Sequence, residues 1–591
     1  MRDILRVDMS TGAISKEPVS AGWARYGGRA LTSAIVFKEV PAKADPLGAE
    51  NKIVFAPGLL GGTSAPNGGR LSVGTKSPLT GGLKESNAGG QAAHALGRLG
   101  IAAIVVEGKP VDPSARYMLV IEADGSAKLE RVDAWAGMGN YALADAIKAT
   151  RPADDRYATI TIGPAGEMML KAAGVAVSDP KNYPNRFAGR GGTGAVMGSK
   201  GLKAIVVSDK GLAYTEHADK EAFTAAVKKF ANALNTHAVT GTALPTYGTN
   251  VLANIINEAG GYPTRNFSSG QFEGVEKISG ETMREVTLER GGNVKHGCHT
   301  GCVIQCSRYW VDKDGHYKTK GVEYENVWSL GADCGIDDLD AIAELDRTCS
   351  DLGLDTIEMG ATLAVYMDSG KIAFGDGAAA LAALKEVGTG SDLGKMIGSG
   401  AEVTGKALGV AHIPVVKHQA LPAYDPRPIQ GIGVTYATST QGADHTAGYS
   451  ITANVLAVGG TVDPLKPDGQ AALSQGLQIA TGMLDALGLC IFVAFAVLDL
   501  PEAFEAIHEM AEAHTGLKWD ADALMQLGKE TLTYERLFND HAGFTPADDR
   551  LPAFFYTVAL PPHDAVFTVT DEDLDSVYSF VPETAAALGI S

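Results

Sequence analysis

Cysteine is scarce in this chain, with six among 591 residues. So few thiols cannot staple a protein of this length, which excludes a disulfide scaffold and fits a reducing compartment. Long apolar runs are missing as well. The most apolar stretch, residues 486–498, is too short to cross a bilayer and reads as a buried helix or strand. The opening segment MRDILRVDMSTG has no apolar signal core, so a cytoplasmic protein without a membrane partner is expected. Positive charge also falls short: 50 Lys and Arg against 69 Asp and Glu leave a net charge of −19. A nucleic-acid partner is disfavoured, because neutralising phosphates takes clustered cations.

What is present describes an ordinary globular protein, 45% hydrophobic and 20% charged. The length exceeds what one hydrophobic core supports, so about two to four domains are expected. Residues 1–210 are strand-rich, with short apolar runs broken by turn signals. Ile4–Met9 precedes Ser-Thr-Gly, Lys52–Ala56 precedes Pro-Gly, and Tyr117–Glu122 turns at Asp124-Gly125. The strand LKAIVVSD closes this region at Asp209. Beyond His217 the apolar spacing becomes helical, as in ADKEAFTAAVKKFANALNTH and DDLDAIAELDRTCSDLG. A further boundary near 420 rests on the proline-rich LPAYDPRPIQGIG. The expected division is a β-rich unit at 1–210 and two mainly helical units at 211–420 and 421–591.

Three of the cysteines, Cys298, Cys302 and Cys306, share the loop NVKHGCHTGCVIQCSRYW, and Cys490 lies far downstream in LDALGLCIF. Three thiolates on one glycine-containing loop can converge on one inorganic object, with a distant fourth closing the shell, which points to an iron–sulfur cluster. Zinc is the rival, since His296 and His299 sit in the same loop. Buried thiols without metal are the plain alternative. A second pattern is an internal echo: CSDLGLDTIE at 349–358 resembles LDALGLCIF at 484–492. Two coincident glycine C-caps explain it most simply; paired roles around a pseudo-symmetric ligand are the alternative. The 72 glycines concentrate in PNGGRLSVGTKSPLTGGLKESNAGG and NRFAGRGGTGAVMGSKGLKAI, where backbone N–H groups with Arg and Lys suit either phosphates or close packing.

Taken in order, GRLSVGTKSPLTGGLKESNAGG, AGRGGTGAVMGSKGLKAI, the three-cysteine loop, VEYENVWSLGADCGI, LGLDT, AYDPRPIQGIGVTYATSTQGADHT and DALGLC resemble the tungsten-dependent aldehyde:ferredoxin oxidoreductase family. The likeness runs from the first ten residues to beyond 490. It implies an α+β fold: an N-terminal domain of two β-sheets forming a base for the cofactor, followed by two mainly α-helical domains. It implies tungsten (or molybdenum) held by two pyranopterin dithiolenes, with Mg2+ bridging the pterin phosphates, and a [4Fe–4S] cluster on Cys298, Cys302, Cys306 and Cys490. Many members place two residues between the first two cysteines, where this chain has three.

Carried over residue by residue, the resemblance assigns Arg70, Asn87, Ala88 and Gly89 to one pterin-contacting segment, and Arg186, Ala188, Gly189, Arg190 and Gly191 to the other. Asp485 matches the acid of D-x-x-G-L-C, with Leu489 in the same motif. In the first motif Ser350 stands where an acid is expected, so Asp351 and Asp355 are its candidate acids. Glu325 matches the active-site glutamate and His445 the active-site histidine, with Tyr324 orienting Glu325 and Glu323 the fallback base. A carboxylate in a desolvated pocket suits proton removal from water, and an imidazole suits hydrogen bonding to the substrate oxygen. The implied reaction is aldehyde oxidation by water, with electrons passing to ferredoxin, an iron–sulfur subunit or a flavin-containing subunit in an oligomer. A benzoyl-CoA reductase-type subunit and a non-catalytic electron-transfer subunit are the alternatives.

Overall fold

A computed structural model describes residues 2–591. Its first 210 residues build two six-stranded sheets of one topology. The first comprises β1 (Asp3–Asp8), β2 (Ile14–Pro18), β3 (Ile53–Pro57), β4 (Leu71–Lys76), β5 (Leu83–Ala88) and β6 (Ile101–Glu107), in the order β2-β1-β6-β3-β4-β5. The second comprises β7 (Tyr117–Ile121), β8 (Ala127–Arg131), β9 (Tyr157–Thr161), β10 (Val175–Val177), β11 (Arg186–Ala188) and β12 (Leu202–Ser208), in the order β8-β7-β12-β9-β10-β11. In each, a hairpin opens the sheet, and the last strand in sequence lies parallel to the first, Val7 opposite Val106 and Ile121 opposite Val207.

The near-continuous apolar runs IAAIVVE and LKAIVVS become β6 and β12, both buried centrally, as strands covered on both faces require. Edge strands ISKEP and AKLER keep charged, exposed side chains, which discourages pairing with another chain. Leu5, Phe55 and Ile104 of the first sheet pack with Leu119, Ile160 and Ile205 of the second in one core.

The internal echo acquires a physical meaning here, and coincidence is not the whole of it. The helix Leu339–Leu352 ends at Gly353 (φ 80°) and the helix Gln470–Leu487 at Gly488 (φ 78°), both left-handed C-caps. Each cap then docks on the corresponding place of one sheet. Gly488 O accepts from Arg70 N, just before β4 (3.1 Å), and Gly353 O accepts from Gly174 N, just before β10 (2.9 Å). A Cβ on Gly488 would stand 2.7 Å from Gly58 Cα, and one on Gly353 would stand 2.7 Å from Gly163 N. Both junctions are therefore backbone on backbone, which only glycine permits.

The helical part does not separate cleanly at 420. The helix Lys220–Thr236 packs on the helix Pro501–Thr515, while Phe554, Phe567 and Leu574 join the core of Tyr262, Trp328 and Met359. Among the described residues no helix is long and apolar enough to cross a membrane.

Candidate active site and metal centre

A cavity of about 740 Å³ opens where the sheets meet the helices. Its lining includes Arg70, Gly89, Arg186, Gly189 and Arg190 from the sheets, all four motif cysteines, and Tyr324, Glu325, Asp355 and His445 from the helical part. Motifs more than 400 residues apart, such as Arg70 and Cys490, thus converge on one space.

Cys298, Cys302 and Cys306 lie in the loop between strands Asn293–His296 and Ser307–Val311. Cys490 follows the Gly488 cap, its N–H donating to Asn67 O at 2.9 Å. Asn67 Oδ1 accepts from Val303 N (3.1 Å), tying the remote cysteine to the loop. A hydrogen bond with Cys302 and the adjacent His299 hold the Cys298 thiol well below its ordinary range, whereas burial pushes Cys490 up to about 11. Among the described residues one trio of potential donors gathered within 4.8 Å lies apart from this cavity, Asp312, Asp314 and His316, on a surface turn. All four cysteines line this one cavity, with Cys298 and Cys302 close enough to share a hydrogen bond, so the set can serve one inorganic core placed there.

The cationic side of the cavity is tightly braced. Arg70 Nε donates to Asn87 Oδ1 and its Nη2 to Asn87 O (3.3 Å). Arg190 pairs through Nε with Asp355 Oδ2 (3.3 Å), and its terminal nitrogens donate to Ala443 O (2.6 Å) and Ala420 O (2.5 Å). Arg186 donates to Ser307 Oγ (2.8 Å), while its Nε is buried without a partner. Three cations beside two glycine loops fit a phosphate-bearing pterin. Gly89 lies between the cysteine loop and the cationic side: a Cβ there would lie 3.0 Å from Cys298 Sγ and 3.3 Å from Arg70 Nη1.

Some expected contacts stand behind this wall. Asn87, Ala88, Ala188, Gly191, Asp485 and Leu489 are not among the lining residues; Asn87 holds Arg70, and Asp485 Oδ2 lies 3.2 Å from Arg29 Nη1. Burial, opposed by Arg29, pushes Asp485 up to about 6, and burial beside Asp485 pushes Glu85 up to about 8. Asp351 also stands away from the lining. Its carboxylate turns away to accept from Tyr141 N (3.1 Å) and abuts Gly139, because it sits one helical position, about 100° of rotation, past the motif's acid position. Asp355 does reach the cavity, and also caps the next helix by accepting from Ile357 N (3.0 Å).

Glu325 and His445 meet on the inner wall, with Glu325 Oε1 3.2 Å from His445 Nε2. Glu325 Oε1 and His445 Nδ1 are buried without hydrogen-bond partners. Glu325 Oε2 accepts from Ala423 N (3.1 Å), and the carbonyl of that residue, Ala423 O, accepts from Tyr324 Oη (3.0 Å). Tyr324 thereby braces the residue whose N–H holds Glu325. Glu323 instead accepts from Thr249 Oγ1 (3.0 Å) and Ser307 Oγ (3.3 Å) near the cysteine loop. Burial raises Glu325 to about 8 against the pull of Ala423 N–H and Arg190, and burial lowers His445 to about 4 against the pull of Asp444.

Sequence reasoning missed Lys84 and Asp444. Lys84 Nζ is buried 3.2 Å from Asp444 Oδ2 and 3.1 Å from Gln441 Oε1. Asp444 was visible beside His445 in GADHT, but its partner lies 360 positions upstream. Beyond His445, Tyr424 and Tyr449 share a 2.7 Å hydrogen bond, and Leu473, Leu477, Phe492, Phe495, Leu498 and Phe504 form an apolar wall.

Family comparison agrees with this architecture. A family model described as aldehyde ferredoxin oxidoreductase, N-terminal domain, matches residues 4–209, and one described as aldehyde ferredoxin oxidoreductase, domains 2 and 3, matches residues 225–581. The chain is 37% identical over 577 residues to a tungsten-containing aldehyde ferredoxin oxidoreductase of Thermococcus kodakarensis, covering 94% of this chain and 91% of that protein. It is 36% identical over 578 residues to the protein of that description from Pyrococcus furiosus, again covering 94% and 91%. At 27% identity it also matches the WOR-like subunit of an aliphatic sulfonate oxidoreductase from Pyrococcus furiosus, over 75% of this chain and 74% of that subunit. In fold it is similar to a chain of the active-site complex BamBC of benzoyl coenzyme A reductase, at a TM-score of 0.81 and 19% identity, covering 100% and 96% of the two chains. With both family models matched and near full-length identity to such relatives, the chain belongs to the aldehyde ferredoxin oxidoreductase family.

Proposed function

We propose that this chain oxidises aldehydes to carboxylic acids with water, at a tungstopterin site beside a [4Fe–4S] cluster on Cys298, Cys302, Cys306 and Cys490. The observation that carries the reading is the buried Glu325–His445 pair, 3.2 Å apart, facing the cavity that all four cysteines line. The aldehyde gains an oxygen from water and gives up two electrons and two protons. When bound, the metallocofactors supply the two-electron acceptor, Lewis acidity and a one-electron relay, with Mg2+ on the pterin phosphates part of the same reading.

The protein's own groups handle protons and position. Glu325, as carboxylate, takes a proton from water at its unpartnered Oε1, while Ala423 N–H holds Oε2 still. His445, neutral at pH 7, offers a ring N–H to the substrate oxygen as charge grows there. Tyr324 is a positioning residue that acts through the backbone of Ala423, whose carbonyl it holds. Arg70, Arg186 and Arg190 hold phosphates, and the apolar wall receives the aldehyde's hydrocarbon part and keeps bulk water out. Electrons then pass to ferredoxin or an iron–sulfur partner subunit.

A benzoyl-CoA reductase-type activity is the second reading, favoured by the shared fold. The uncharged wall from Leu473 to Phe504 speaks against it, because a coenzyme A phosphate tail calls for cations. The test is metal analysis of anaerobically purified protein with aldehyde-dependent viologen reduction on the same sample. About one tungsten and four irons per chain with dye reduction support the reading. Activity on an aromatic acyl-CoA with none on aldehydes would replace it with the second, and iron without tungsten or molybdenum would leave a cluster-bearing electron-transfer subunit.

A further inference from the structure

His299 sits between two of the cysteines, and no role for it follows from the chemistry above. It is only 2% exposed, and its Nδ1 lies 3.2 Å from Cys298 Sγ. Its Nε2 is buried with no partner. A ligating sulfur is a thiolate, which accepts hydrogen bonds and donates none. The proton of the neutral ring therefore belongs on Nδ1, and its single hydrogen bond is the one to sulfur.

This orientation is built by the surrounding loops. Gly69 lies under the ring, where a Cβ would come within 2.4 Å of His299 Cδ2. The next residue, Thr300, is clamped on both sides: its N–H donates to Gln91 Oε1 (3.1 Å), and its carbonyl stands 2.9 Å from His94 Nε2. His94 Nδ1 accepts from Gly62 N at 3.3 Å, so His94 Nε2 carries the proton and donates to that carbonyl. Two loops of the first sheet and the helix Ala92–Arg98 thus converge to aim one imidazole at one cysteine.

We propose that His299 is a positioning residue that sets the reduction potential of the cluster by donating Nδ1–H to Cys298 Sγ. The inference rests on the reading that the four cysteines hold a [4Fe–4S] cluster. A donor aimed at a ligand sulfur stabilises the reduced, more negative cluster more than the oxidised one, and burial keeps water from substituting for it. The cluster of this chain is thereby a better acceptor for electrons leaving the substrate site.

The experiment is an EPR-monitored redox titration of the anaerobically purified full-length protein as wild type, His299→Leu, His299→Phe and His299→Asn. At a fixed ambient potential the Leu and Phe variants, with wild-type iron content, should show a reduced-to-oxidised ratio about three- to tenfold lower, the worth of one hydrogen bond. Asn, whose side-chain N–H group falls where Nδ1–H stands, should restore the ratio toward wild type. A Leu or Phe variant with full iron and an unchanged ratio overturns the proposal. So does loss of iron from both, which would make the imidazole a structural prop. Wild-type protein without four irons would instead refute the cluster reading itself.

Discussion

The protonation of Glu325 offers a direct test of the catalytic reading. Burial raises its pKa to about 8, and the form that removes a proton from water is the carboxylate. Activity should therefore be lost as pH falls. With a midpoint near 8, the carboxylate fraction is about 1% at pH 6, about 10% at pH 7 and about 90% at pH 9. The value of kcat/KM should thus climb nearly a hundredfold across that window. His445 adds no second limb there, because burial lowers it to about 4 and it stays neutral throughout. The assay is kcat/KM for anaerobic viologen reduction by a non-ionising aldehyde, read from pH 6 to pH 9. Glu325→Gln should lose on the order of 10²-fold at pH 8 and flatten the profile, with metal content unchanged. A flat wild-type profile, or a Gln variant that keeps the rise, would show that Glu325 is not the base.

Three further outcomes follow from the same geometry. His445→Ala should lower kcat by on the order of 10²-fold with tungsten and iron intact, and near-native turnover would remove His445 from the chemistry. Gly488→Ala places a Cβ 2.7 Å from Gly58 Cα at φ 78°; the backbone strain alone costs about 1 kcal/mol, so thermal unfolding should begin earlier, and an unchanged midpoint would contradict the docking described. Gly476 faces the cavity mouth with open space where its Cβ would be, so Gly476→Trp should fold normally and raise KM about tenfold for long-chain aldehydes but little for acetaldehyde. An equal change for both would place the substrate path elsewhere.

Local chemistry made much of this protein legible before any coordinates. Buried runs such as IAAIVVE and LKAIVVS announce central strands, and the change of period after His217 announces helices. Strand order was not legible, because which runs pair depends on contacts across the whole chain. The same limit hid Lys84 beneath Asp444: nothing near GLKESNAGG reveals a partner 360 positions away. Asp351 lies off the cavity lining for a different reason. In a helix a displacement of one residue turns a side chain by about 100°, enough to carry its carboxylate from the cavity to Tyr141. Cysteine spacing left zinc and a cluster both open, since spacing along a loop does not fix how far apart the sulfurs point.

The duplicated sheets also show how one architecture yields two unlike ends. Gly353-Leu354-Asp355 and Gly488-Leu489-Cys490 dock through equivalent backbone contacts, yet the first ends in a carboxylate that pairs with Arg190 and the second in a thiol beside the three-cysteine loop. The residue before β10 is Gly174, whereas the residue before β4 is Arg70, whose guanidinium lies in the same contact with Gly89 and Cys298. The fold is symmetric where it grips backbone and asymmetric where it presents side chains. On the proposed reading, that asymmetry gives electrons a single direction of departure: both halves can cradle phosphate, but only the half built on the first sheet presents a cysteine. Exchanging the two end residues should then abolish cluster assembly without building a second one opposite, because the loop of Cys298, Cys302 and Cys306 has no counterpart on the other side.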